Sequence, residues 1–299
     1  MLECFNRMDV FGTFPIPSFF AGPFMATTEQ ELYEKYLFDY QNEFAIMEEA
    51  ARRSVELALI YDPADGHLVS GDVFDFIARK DTYGFFIADA KGHGLEAAKA
   101  ALHVHRLIRN QDLQYLYYLS KSPVLLEAVE KAWVDPNWNF HDEPLVATHV
   151  KIDRSNHEME MASAGMGLHF ILRQTGALEV FEGDGLIITL TSTPFDPFNI
   201  SYSNHERNGP WKTKLLKDDL LVISTDGFTD RKLKGTTLSI QQIFQSSQYW
   251  EVPEVKRFLA GLRDLAGKDP AVIQQYLIDA SVKISDDIVL AVHRYNGGL

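Results

Sequence analysis

From Ser54 onward the chain is a succession of short β-rich runs, several joined by nothing longer than a turn. Ser54–Tyr61, Gly84–Asp89, Ala147–Ile152, Glu158–Ala164, Leu168–Arg173, Leu186–Leu190, Leu220–Thr225 and Ile288–Tyr295 all have strand character. The turn signals at Asp153–Asn156 and Gln174–Gly176 favour antiparallel pairing of the runs they join. Helical runs stand between blocks of strands, at Leu95–Arg109, Pro123–Trp133, Val252–Ala266 and Pro270–Ser281. Uneven interleaving of this kind predicts an α+β fold in which helices cover antiparallel sheets. Without an internal repeat or a linker, residues 54–299 read as one domain.

Two further segments precede it. Residues 28–53 read as an amphipathic helix: Thr28 and Glu31 have the spacing of a capping box. Tyr33, Leu37, Tyr40, Phe44, Met47 and Ala51 then recur at alternating steps of four and three, forming one stripe. That stripe suits a homodimer seam, a regulatory element, or a helix lying on its own domain. Residues 1–27 read as an extended arm carrying Phe11, Phe14, Phe19, Phe20 and Phe24. Pro15, Pro17 and Pro23 interrupt the hydrogen bonding that a membrane span needs, and the start lacks the cationic flank of a signal peptide. The expectation is a cytoplasmic protein with no membrane segment.

Charge narrows the function. With 28 Lys and Arg against 42 Asp and Glu, the formal charge is −14. That field repels nucleic-acid backbones and anionic lipids, which argues against nucleic-acid partners and a polybasic membrane anchor. A phosphorylated substrate stays open if a metal supplies local positive charge. The one cysteine, Cys4, rules out a disulfide within the chain and a cysteine-based zinc site.

Four acidic clusters then stand out beside predicted strands: Ser70-Gly71-Asp72-Val73-Phe74-Asp75, Ile87-Ala88-Asp89-Ala90-Lys91-Gly92-His93-Gly94, Ser224-Thr225-Asp226-Gly227-Phe228-Thr229-Asp230, and Ser285-Asp286-Asp287-Ile288. A carboxylate at the end of a buried strand costs desolvation unless something cationic compensates it. Any one of these aspartates is explained as a turn or cap residue. Four in one domain are what Mg²⁺ or Mn²⁺ needs if the ends converge, because these ions take hard oxygen ligands.

Taken in order, SGDVFD, IADAKGHG, LLVISTDGFTD and SDDIVLAV resemble the motifs of the bacterial metal-dependent protein phosphatases (the PPM family), in its SpoIIE/RsbU-like branch. Tyr61-Asp62-Pro63-Ala64, Ala162-Ser163-Ala164-Gly165 and Leu216-Lys217-Asp218-Asp219 fall where that family has shorter motifs, and the resemblance covers about residues 54–295. It implies a sandwich of two antiparallel β-sheets flanked by helices, preceded here by the N-terminal helix. It implies two divalent cations, Mn²⁺ or Mg²⁺. Asp89 would bridge them, the Ala90 carbonyl would add a ligand, Asp226 and Asp286 would complete one ion, and Asp72 would serve the other. Asp75, Asp230 and Asp287 would support these ligands or cap turns. The implied activity is serine/threonine protein phosphatase, by attack of a hydroxide held between the metals. The implied substrate is a phosphoprotein of the anti-sigma-factor antagonist kind in a partner-switching pathway. The alternative is a catalytically silent PPM-fold module that binds such a partner.

Several positions depart from the family pattern. Lys91 replaces a small residue, and reads as a solvated loop lysine or as a phosphate ligand. His93 reads as a proton donor or as a turn residue. His103 and His105 point to different sides of a helix and make no joint metal site. Asp230 is shorter than the family's glutamate, and the pattern around Met166-Gly167 is not the usual one. Trp133, Asn137 and Trp138 lie in a polar stretch that reads as a flap or as local packing.

Overall fold

A computed structural model describes residues 55–67, 69–78, 81–95, 97–98, 100–101, 145–182 and 211–297. The expected arm, the 28–53 helix, Pro123–Trp133, His103, His105, the tryptophan stretch and Leu186–Leu190 lie outside the described residues. The described chain forms ten strands: β1 Glu56–Asp62, β2 Asp72–Ala78, β3 Thr82–Ala90, β4 Leu145–Asp153, β5 Glu158–Ala164, β6 Leu168–Leu172, β7 Leu178–Glu182, β8 Trp211–Lys214, β9 Leu220–Ser224 and β10 Ile288–Arg294. Four α-helices follow β9: α1 Asp226–Thr229, α2 Ile240–Gln245, α3 Pro253–Asp264 and α4 Pro270–Ala280. Residues after 93 are also helical as far as they are described, up to 101.

The strands make two five-stranded sheets, ordered β1-β10-β9-β6-β7 and β2-β3-β4-β5-β8. Every pairing within them is antiparallel. This is the expected fold class: two antiparallel sheets with helices outside. Alternation along each strand separates two cores. Phe85 and Ile87 of β3, Val150 and Ile152 of β4, Leu221 and Ile223 of β9, and Val289 and Ala291 of β10 pack between the sheets. Leu220, Val222, Leu290 and Val292 face the other way, onto Val255, Phe258, Leu259 and Leu262 of α3 and Ile273 and Leu277 of α4. Because β9 and β10 bury both faces, they read as continuous apolar runs rather than alternating ones.

Helix starts are set locally. Ser239 and Gln242 form a reciprocal capping box on α2, and Asp269 accepts from the Ala271 amide at 2.8 Å ahead of α4. Pro253 and Pro270 open α3 and α4, where a missing N–H costs nothing. Among the described residues no helix is long and apolar enough to cross a membrane.

Candidate metal centre

The clustered aspartates lie at one end of the sandwich. Asp72 follows β1 and its turn and itself starts β2, and the register sets it directly opposite Asp89 near the end of β3. Alternation puts Asp72 on the face of Phe74, and Asp89 on the face of Phe85 and Ile87, which line the core between the sheets. From the other sheet, β9 ends at Ser224 and hands over through Thr225 to Asp226 at the start of α1. Asp286 lies just ahead of β10, the neighbour of β9. The four carboxylates thus meet at the mouth of the cleft between the sheets.

Close approach of backbone makes this meeting feasible. A Cβ on Gly227 would lie 1.7 Å from the Asp287 carbonyl oxygen, so only glycine lets the start of α1 press against the Asp286-Asp287 bend. Thr225 ties the sheets together at the same point. Its hydroxyl donates to Asp72 Oδ2 at 2.6 Å and accepts from the Val289 amide at 2.9 Å. Asp72, 1% exposed, also has its backbone amide bonded to Ser70 Oγ at 2.9 Å.

The electrostatics show how tightly the carboxyls are grouped. Burial first, then the charges of Asp226 and Asp286, pushes Asp89 up to about 8. Burial and the charge of Asp89 hold Asp72 well above the carboxylate range, against the opposing pull of the Thr225 hydroxyl. Asp226 is raised by desolvation and by Asp286, although its residue lies at the exposed rim. Asp230, also at the rim, is raised by desolvation and by Asp286. The Asp89 carboxyl lies close enough to those of Asp226 and Asp72 for both to shift its titration. Like charges at such spacing cannot all ionise without protons or cations between them. Among the described residues no group of three histidine, cysteine or carboxylate side chains is already arranged around a single metal position. The donor set itself, hard oxygens crowded against their own charge, fits divalent magnesium or manganese.

The remaining sequence candidates divide. Asp75, 3% exposed, is three residues from Asp72 on one strand and so occupies the opposite face of β2, away from the cleft. Asp287 sends its carboxylate to backbone amides rather than to the cluster. Lys91 and His93 are exposed, and the His93 ring lies 4.5 Å from that of His67, centroid to centroid. Met166 is buried in the core between the sheets. Sequence reasoning missed Thr225. Thr225 stands inside a motif singled out for its aspartate, and its hydroxyl next to a proposed ligand was the available signal.

Two antiparallel sheets with helices outside, and a carboxylate cluster at the mouth between them, define the PP2C-type phosphatase fold. The chain belongs to the stage II sporulation protein E (SpoIIE) family, whose family model matches residues 79–296. It is thereby homologous to the PP2C-type serine/threonine phosphatases. Among solved structures it is similar to the SiaA-PP2C domain of Pseudomonas aeruginosa, with TM-score 0.58 and 16% identity over 89% of this chain and 98% of that one. It is also similar to the RsbU and RsbW domains of a Mycobacterium tuberculosis protein, with TM-score 0.54 and 16% identity over 82% of this chain and 62% of that one. A third is the PP2C phosphatase domain of Bacillus subtilis SpoIIE with a fragment of its regulatory domain, with TM-score 0.52 and 17% identity over 81% of this chain and 64% of that one. Among curated proteins no sequence matches the chain.

Proposed function

We propose that the protein is a Mn²⁺- or Mg²⁺-dependent serine/threonine protein phosphatase. Its substrate would be a small phosphoprotein of the anti-sigma-factor antagonist kind. The observation that carries the reading is the grouping of Asp72, Asp89, Asp226 and Asp286 at the mouth of the cleft, with Asp89 pushed up to about 8 by its burial and acidic neighbours. These four, with the Ala90 carbonyl, are the groups that would hold two cations. Divalent cations bound there supply an acidified water and offset the charge on the phosphoryl oxygens.

The chain's own part is orientation. Asp72 is fixed between the Thr225 hydroxyl and its place opposite Asp89, so both carboxylates face the cleft from adjacent strands. The apolar core behind them keeps water from that side. The substrate class follows from the motif resemblance to the SpoIIE/RsbU-like branch, and membership of the SpoIIE family supports it.

The test is hydrolysis of a generic aryl phosphate with Mn²⁺ titrated in, for wild type beside Asp89→Asn and Asp226→Ala. Turnover that rises with Mn²⁺ and is lost in both folded variants is the expected result. A folded wild type that neither binds Mn²⁺ nor turns over would overturn the reading.

A further inference from the structure

Asp287 follows a proposed ligand directly and is 3% exposed, yet both of its oxygens are occupied by backbone. Oδ1 accepts from the Ala64 amide and Oδ2 from the Gly71 amide, each at 2.6 Å. Those amides are 223 and 216 residues away in sequence. Ala64 lies in the loop after β1, and Gly71 immediately precedes Asp72. One carboxylate therefore ties the entrance of β10 in one sheet to the entrance of β2 in the other. Charge-assisted bonds of this kind are among the strongest that a backbone amide makes.

The ties continue to the proposed ligands. The Gly71 carbonyl accepts from the Ala90 amide at 3.2 Å, reaching the residue after Asp89. The Asp287 amide donates to Asp286 Oδ1 at 2.9 Å, so the same residue orients its neighbour's carboxylate. Gly71 is fitted to this arrangement. A Cβ there would lie 3.2 Å from Asp287 Oδ2, 3.1 Å from the Ala90 carbonyl oxygen and 2.8 Å from the Ala97 Cβ. Any side chain at 71 would push apart the groups that the carboxylate holds together.

We infer that Asp287 is a positioning residue: its carboxylate staples the loop after β1 and the turn ahead of β2 to the start of β10, and so sets the spacing of Asp72, Asp89 and Asp286. The inference rests on the dimetal reading for its purpose, and on hydrogen bonds alone for its geometry. Groups that orient metal ligands typically change affinity by about 10- to 100-fold when removed.

Asp287→Asn is the discriminating variant, because one amide nitrogen must then face an N–H donor and cannot accept from it. Two measurements are made on the full chain: hydrogen exchange of the Ala64 and Gly71 amides, and the Mn²⁺ dissociation constant by calorimetry, with Mn²⁺-dependent aryl phosphate turnover beside it. In wild type both amides should exchange as slowly as those of β3. In the variant their exchange should quicken at least tenfold while that of Phe85–Ile87 is unchanged. Mn²⁺ should bind about 10- to 100-fold more weakly, with turnover largely recovered at saturating Mn²⁺. Fast exchange of both amides in wild type would overturn the staple even if the variant did not fold. A lower thermal midpoint with Mn²⁺ affinity within twofold would reduce Asp287 to a structural residue and overturn the positioning role. A wild type that binds no Mn²⁺ would remove the dimetal reading and the staple's purpose together, while the exchange rates would still decide whether the tie exists.

Discussion

Thr225 shows how much a single hydroxyl does at this site. It donates to Asp72 from one sheet while accepting from Val289 in the other, so one oxygen joins the two sheets at the carboxylate cluster. Thr225→Val keeps the shape and removes both bonds, leaving a buried carboxylate oxygen and a buried amide without this partner. The expected loss is about 1–3 kcal/mol of stability, the typical result of stranding a buried polar group. Mn²⁺ binding should weaken by about tenfold or more. Thermal unfolding and calorimetry on the same preparation check the two effects; unchanged Mn²⁺ affinity would show that Asp72 holds its place without the hydroxyl. The aspartates were legible in the sequence because acid next to an apolar strand is chemically conspicuous. Which of them face the cleft was not, because that depends on two-residue alternation. Asp75 shares a motif with Asp72 and lies on the opposite face of the same strand.

The elements that escaped sequence reading have physical reasons too. β2 is not among the strand runs read from the sequence, because Asp-Val-Phe-Asp-Phe-Ile-Ala places charges among its apolar residues and stands out as an acidic cluster instead. Those charges belong to a strand whose neighbour carries Asp89. β8 is an edge strand of alternating half-buried and exposed residues, two of them lysines, with no apolar run to announce it. β7 is also at an edge, and the more apolar Leu186–Leu190 stood out in its place. By contrast β9 and β10, buried on both faces, and α3 and α4, which open on proline, were read within a residue or two. α1 was missed because a single turn carries no periodicity. What defines it is the contact of Gly227 with the Asp287 carbonyl. Gly227→Ala would force a methyl group into backbone that cannot yield as a side chain would. The expected cost is at the upper end of the roughly 1–3 kcal/mol for overpacking, or beyond it. Loss of Mn²⁺-dependent turnover should accompany it as Asp226 and Asp286 separate. Denaturant unfolding with a metal titration checks both, and an alanine variant of wild-type stability would show that the bend has room to move.

Among the described residues of the molecule, two sets of buried ionisable groups pull stability in opposite directions with pH. Asp72 and Asp89 have folded-state pKa values raised above their unfolded ones, Asp89 to about 8. Their contribution is fully present below the unfolded carboxylate pKa of about 3.8 and is lost as pH rises through the folded value. His293, which meets the Tyr83 hydroxyl at 2.9 Å, is lowered by burial to about 4, and His169, which meets Thr148 Oγ1 at 2.8 Å, is lowered by burial to about 3. Their contribution is complete above the unfolded histidine pKa of about 6.5 and disappears as pH falls toward 4 and 3. Of these two sets only the carboxyls act between pH 6.5 and 8, and they should make the metal-free protein gain stability as pH falls from 8 to 6.5. Below 6.5 the histidines oppose that gain, and the profile should flatten or turn over. Saturating Mn²⁺ should change the upper arm alone, because cations replace protons as the neutralising charge and their binding releases protons. The rise in thermal midpoint on adding Mn²⁺ should therefore be larger at pH 8 than at pH 6.5. Thermal unfolding at closely spaced pH values, with and without Mn²⁺, checks this directly. A metal-free midpoint that is level from 6.5 to 8, with a Mn²⁺ shift independent of pH, would mean that the cluster carries no excess protons and that its carboxylates are farther apart in solution than the fold places them.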